Sequence, residues 1–148
     1  MNETKNEIVI AAPARRIYEL AAATERWPEF LPHYRYVRVL EERAGGRVIE
    51  MAAMRDFIPI RWVAEQHNDP EIPTVRFRHL RGWTRGMDVV WRFEESEAGT
   101  RVTIEHRLAF AFPFAADWLG RNVVSKFFIE NVAGKTLACM KVLAEGAA

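Results

Sequence analysis

Two histidines, one glutamine and one tyrosine carry the chemistry this chain could direct at an organic molecule. His79 and His106 each fall on the apolar face of an alternating run, His79 with Val75 and Phe77, His106 with Val102 and Ile104. A neutral imidazole in apolar surroundings can take or give a proton. The competing reading is a core histidine bonded to a tyrosine or to backbone. Gln66 shares a strand face with Ile60, Trp62 and Ala64. It can donate hydrogen bonds to a ligand carbonyl or enolate, or serve as a structural amide. The Tyr34 hydroxyl, just after Pro32, can orient or protonate a ligand oxygen. Asn131 shares a helical stripe with Phe127 and needs a partner if buried; a ligand or Tyr34 would serve. Trp27, Trp62 and Trp91 are either core or the apolar wall for a flat ring.

Other chemistries lack their residues. The four histidines have no close helical spacing, and there is no Cys/His cluster, so no metal site is expected. No nucleophile elbow, phosphate-binding glycine loop or glycosidase-like carboxylate pair is present, and no cofactor is implied. The lone Cys139 precludes an internal disulfide and reads as a small buried hydrophobe. Net charge is +1 with no basic cluster, which argues against nucleic acid as a partner. No run approaches the ~20 apolar residues of a membrane span. The N-terminus lacks the pattern of a signal peptide, so the expected location is cytoplasmic.

The elements that must hold these side chains follow from period and punctuation. At 148 residues, about half of them apolar, the chain is expected to form one domain with a real core. Glu7 to Ala11 reads as a strand stopped by Pro13. ARRIYELAAAT continues as a helix burying Ile17, Leu20 and Ala21. Thr24 reads as the N-cap of a second short helix, Glu25 to Leu31. Strands are predicted over Tyr34 to Glu42, Arg47 to Arg55 and Ile60 to His67, with Pro59 as a break, edge or bulge. The segment from Val75 to Phe112 reads as a three-stranded meander: Val75, Phe77 and His79, then Met87, Val89, Trp91 and Phe93, then Val102, Ile104 and His106 share its inner face. Gly82 and Gly86 bound one of its loops. Within that loop Arg85 is either a solvated turn residue or a contact for an acidic head group or a carrier-protein phosphate. From Phe114 to Glu145 the period becomes helical, with Val124, Phe127, Phe128, Asn131, Lys135, Ala138 and Val142 on one stripe; Gly134 is read as a close packing contact. Strand, two helices, six strands and one long helix define an α+β domain. A long helix rarely fills the concavity of a curved sheet, so an internal cavity is expected.

This order, with the segments NEIVIAAP, WPEFLPHYRYVRVL, RWVAEQHNDPEIPTVRFRHL and GRNVVSKFFIENVAGKTLACMKVLAE, resembles the START-related helix-grip superfamily of polyketide cyclase/dehydrase and lipid-transport proteins. The likeness runs over nearly the whole chain and is greatest to bacterial polyketide aromatase/cyclases and coenzyme-Q-binding relatives. It implies a birch-pollen-allergen-like fold: a curved antiparallel sheet of about seven strands wrapped around the C-terminal helix. It also implies a hydrophobic, aromatic or polyketide-like ligand, cyclisation or dehydration chemistry, and an acyl carrier protein as a partner. The alternative within the same likeness is a non-catalytic carrier of a quinone or lipid. Trp27, Tyr34, Trp62, Met87, Trp91 and Asn131 match pocket positions of the aromatase/cyclases. The Ser and Arg that those enzymes carry after the pocket Trp fall on Ala64 and Gln66, and a basic residue further along is replaced by His79. His79, Tyr34 and Gln66 are therefore the expected catalytic group, with Trp27, Trp62, Met87, Trp91, His106, Phe127 and Asn131 as ligand contacts.

Overall fold

The computed structural model describes residues 2–82, 84–108 and 132–146. Seven strands form one antiparallel sheet: β1 (Asn2–Ile10), β2 (Tyr34–Arg43), β3 (Gly46–Arg55), β4 (Ile58–Asp69), β5 (Thr74–Arg81), β6 (Asp88–Ser96) and β7 (Gly99–Leu108). Their order across the sheet is β1-β7-β6-β5-β4-β3-β2. Six strands are joined by successive hairpins. β1 instead closes on the last of them, so β1 and β2 form opposite edges although they are consecutive strands in the chain.

The connection between those edges has to cross the whole sheet. It does so as helix α1 (Ala14–Ala22), a 3-10 turn (Thr24–Arg26) and helix α2 (Trp27–Phe30). α1 buries Ala14, Ile17, Tyr18 and Ala21. Trp27 then places its ring 5.1 Å from Tyr34 on β2, 6.2 Å from Phe77 on β5 and 5.7 Å from Trp91 on β6. Strands lie about 4.8 Å apart. One indole can meet β2, β5 and β6 only if the sheet curls around it. Register shifts between Tyr34 and Tyr36, between Val39 and Glu41, and between Val63 and Ala64 mark where the ladders bend.

Tight turns fix the hairpins. Gly99 has φ +130°, and a Cβ there would lie 2.2 Å from the Ile10 carbonyl oxygen, so only glycine lets β7 approach the end of β1. The β3–β4 turn is made by Asp56, at φ +55°, and Phe57. Pro59 therefore does not break the strand. It sits second in β4, opposite Met54, where a missing N–H is tolerated near a strand end.

The inner face follows the alternation almost residue for residue. Val75, Phe77, His79, Met87, Val89, Trp91, Phe93, Val102, Ile104 and His106 are all buried. Some boundaries and faces differ from expectation. β1 begins at Asn2 rather than Glu7 because polar Thr4 and Asn6 occupy its inward positions and hide its period. Thr24 makes no N-cap hydrogen bond; its hydroxyl is used elsewhere. The final helix is described from Gly134 to Gly146 (α3), and its inner stripe is Val132, Ala133, Thr136, Leu137, Met140 and Ala144. Lys135 and Ala138 face out, and Val142 is 74% exposed. The helix is apolar on more than one side, so period alone chose the wrong stripe. Gly134 has nothing within 4 Å of a built Cβ and marks no close contact. Phe127 and Asn131, and most of the predicted Phe114–Glu145 helix, lie outside the described residues.

α3 is fastened at its C-terminal end. Lys141 Nζ donates to the Val9 carbonyl at 2.7 Å, and the Ala11 N–H donates to Glu145 at 2.8 Å.

Candidate functional site

The inward rings converge between the α1–α2 hook, the sheet and the start of α3. They surround an interior space of about 40 Å³, lined by Trp27 and Tyr34 from the hook and β2, by Met51, Trp62, Phe77, His79, Val89, Trp91, Ile104 and His106 from the sheet, and by Val132, Ala133 and Thr136. None of these side chains is an Asp, Glu, Lys or Arg. The volume is about that of one or two waters, well below the ~300 Å³ usual for small-molecule pockets.

His79 is fixed on three sides. Its ring lies parallel to Trp62, 5° between planes and 5.8 Å between centroids. Its Nδ1 is 2.5 Å from Thr84 Oγ1. Its backbone N–H donates to the Met87 carbonyl and its carbonyl accepts from Gly86 N–H, which closes the Gly82–Gly86 loop over it. Burial, then the nearby His106 imidazole, lowers its pKa to about 3. Burial likewise lowers His106 to about 4. Both rings are neutral at physiological pH because the charged form would be desolvated without a counter-ion. The His106 Nδ1 is buried and has no hydrogen-bond partner.

Tyr34 is buried beside His33 (4.9 Å) and Trp62 (6.1 Å). Burial raises its pKa well above the usual phenol value, with the Thr136 hydroxyl pulling slightly the other way. It stays a neutral donor. His33 and Thr136 join this corner, with 2.9 Å between His33 Nε2 and Thr136 Oγ1. The Thr136 hydroxyl donates to the Val132 carbonyl at 2.8 Å, so it accepts from His33 Nε2–H. That bond fixes the His33 tautomer; its Nδ1 is buried without a partner. Burial, then Lys135, lowers the His33 pKa to about 4.

The structure brings Tyr34, Trp27, Trp62, His79, Trp91 and His106 to one place. Met87 is fully buried on the same sheet face and does not line the space. Gln66 does not join the group. It faces inward, but further along β4, and its amide is fully occupied. Thr24 Oγ1 donates to Oε1 at 2.6 Å and Arg47 Nε at 3.3 Å, while Nε2 donates to the Ala22 carbonyl at 2.9 Å and Asn68 at 3.0 Å. Arg47 continues the network to Thr24, the Ala22 carbonyl and Glu25. Gln66 thus ties the hook to the sheet, and this geometry leaves its amide nothing for a ligand. Sequence reasoning missed His33, Thr84 and Thr136. His33 sits in a loop without period, and Thr84 pairs with His79 only because the Gly-bounded turn folds back. Among the described residues no group of His, Cys, Asp or Glu is placed to hold a metal ion, and no helix is long and apolar enough to cross a membrane.

A hook-closed, seven-stranded sheet gripping a C-terminal helix around buried rings is the START-like helix-grip architecture. A Streptomyces sp. aromatase/cyclase, Zhui, superposes with a TM-score of 0.80 at 21% identity, covering 97% of this chain and 93% of its own. The model of the polyketide cyclase/dehydrase and lipid transport family matches residues 10–141, and the chain belongs to that family. A cyclase-family protein of Streptomyces cyaneus is 34% identical over 102 residues, 67% of each chain. The bifunctional cyclase/dehydratase of the actinorhodin polyketide synthase of Streptomyces coelicolor is 31% identical over 140 residues. That match takes in 90% of this chain and 41% of the longer relative.

Proposed function

We propose that this protein takes a hydrophobic, flat, oxygen-bearing molecule into its ring-lined interior and steers its cyclisation or dehydration. The observation that carries the reading is the lining itself: aromatic and aliphatic side chains, two neutral imidazoles and one neutral phenol, with no charged side chain among the described residues. Such a surface excludes water and stacks on a flat ring, while neutral donors and acceptors hold carbonyl and enol oxygens. Tyr34 donates to a carbonyl oxygen, and the polarised carbonyl loses an α-proton more readily. His79, held in place by Thr84 and Trp62, is the group closest to proton transfer. At a pKa of about 3 it is a weak base, so positioning supplies most of the effect.

The end of the sheet nearest these groups carries Arg61, Arg81 and Arg85, exposed and outside any ion pair among the described residues, and the β3–β4 turn carries Phe57, which is 94% exposed. This surface suits an acidic acyl carrier protein delivering a bound polyketide chain.

The free volume must grow on binding, so ligand uptake displaces Trp27, Trp62 or Trp91. The test is product analysis with a poly-β-keto thioester. The wild type should convert a spontaneous mixture into one cyclised regioisomer, and Tyr34→Phe with His79→Gln should lose that bias while remaining folded. An unchanged mixture, with a quinone or lipid co-purifying in native mass spectrometry, would favour the non-catalytic carrier. The mostly apolar lining supports that second reading.

A further inference from the structure

The inner face of the β1–β7 edge carries polar atoms that nothing above uses. In the β1–β7 ladder Thr4 stands directly opposite His106, and Asn6 opposite Ile104. Positions 4, 6, 8 and 10 are the inward ones of β1, since Glu3, Lys5, Glu7 and Val9 are exposed. Thr4 Oγ1, Asn6 Oδ1 and His106 Nδ1 are each buried and each lack a hydrogen-bond partner among the described residues. His106 itself is 2% exposed and lines the interior space. Directly opposed side chains on one face lie about 5 Å apart at Cβ, and diagonal ones about 7–8 Å. The three side chains are therefore neighbours on one face of the sheet edge. Each of their polar atoms costs roughly 1–3 kcal/mol when buried unpaired. Val, Leu or Phe at the same positions would incur no such cost, so the trio is expensive for a purely structural face.

We infer that Thr4, Asn6 and His106 form a polar niche that recognises a hydroxyl group on the ligand, a phenol or enol. The chemistry selects a group that both donates and accepts. Asn6 Oδ1 can only accept; the Thr4 hydroxyl can donate or accept, and His106 Nδ1 accepts in one tautomer and donates in the other. A phenolic or enolic O–H gives its one hydrogen to one of these atoms and takes a hydrogen bond from another. A ketone oxygen can only accept and leaves Asn6 Oδ1 without a ligand donor, and an alkyl chain pairs with none of them. This deepens the functional reading above and rests on it: the ligand class becomes hydroxylated rings rather than alkyl or isoprenoid lipids.

A matched pair of probes tests the niche, 1-naphthol against naphthalene, by calorimetry and tryptophan fluorescence. Wild type should bind 1-naphthol at least about tenfold more tightly, the discrimination usual for a site built to bond a hydroxyl. Thr4→Val with Asn6→Leu should collapse that preference while leaving naphthalene affinity unchanged. Equal affinity of wild type for both probes would overturn the niche and leave the ring-lined pocket standing. Saturable binding of neither would overturn both. The same double variant has a second readout in the free protein. Apolar isosteres replacing unpaired polar atoms should hold or raise the thermal midpoint. A fall of several degrees would mean that Thr4 and Asn6 are bonded within the chain, and that no niche exists.

Discussion

The His79 imidazole lies flat against the Trp62 indole, planes 5° apart, while its Nδ1 is held 2.5 Å from the Thr84 hydroxyl. Stack and hydrogen bond together hold the ring in one orientation. Thr84→Val removes the bond and keeps the shape. It should cost about 1 kcal/mol of stability and broaden or split the His79 ring resonances in a nitrogen-detected NMR spectrum. Unchanged His79 ring resonances in the variant would show that Thr84 does not hold the ring.

Gln66 separates structure from chemistry. Its amide satisfies Thr24, Arg47, Asn68 and the Ala22 carbonyl at once. Gln66→Leu leaves the buried Thr24 hydroxyl and the half-buried Arg47 and Ala22 carbonyl without this partner, and should destabilise the fold by about 1–3 kcal/mol in denaturant titration. Ligand affinity below the unfolding range should stay within about twofold of wild type. A large loss of affinity with little loss of stability would return Gln66 to the binding group.

The buried histidines make stability depend on acid in a defined window. His33, His79 and His106 protonate in the folded chain only near pH 4, 3 and 4, against about 6.5 when unfolded. Between those values the unfolded chain binds more protons, so unfolding free energy falls as pH drops below about 6.5. The fall continues until the folded values are reached. Each histidine contributes a slope of at most ~1.4 kcal/mol per pH unit. His67 behaves oppositely: its bond to Glu65, then the Gly45 carbonyl, raises its pKa. Its contribution is present below 6.5 and fades as pH rises through the raised value. Thermal midpoints from pH 7 to pH 4 should fall steeply in wild type, and less steeply in His106→Gln. An identical acid limb in the variant would mean that His106 is not held neutral by burial.

Much of this was legible in the residues. Alternation placed nearly every inward side chain of β5, β6 and β7 because one face of each strand is buried and a one-residue slip would expose it. The resemblance added the curved sheet of about seven strands wrapped around the C-terminal helix. What stayed hidden has physical causes. Gln66 looked like a ligand contact because alternation reports which way a side chain points and not what it meets; Thr24 and Arg47 are far away in sequence. The stripe of α3 was misassigned because the helix is apolar on more than one side. Thr4 and Asn6 broke the period of β1, and the polarity that shortened the predicted strand is what the niche is made of.

The ring-lined interior is proposed to open for a flat hydrophobic molecule although only about 40 Å³ is free in its absence. The most direct measurement is calorimetric titration of 1-naphthol into wild type and Ala133→Leu, a substitution that fills the space from the residue just before α3, with tryptophan emission followed in parallel. The account predicts one saturable site per chain with an emission shift, and affinity reduced at least about tenfold in Ala133→Leu while the fold is retained. Absence of saturable binding, or equal affinity in the filled variant, would contradict it.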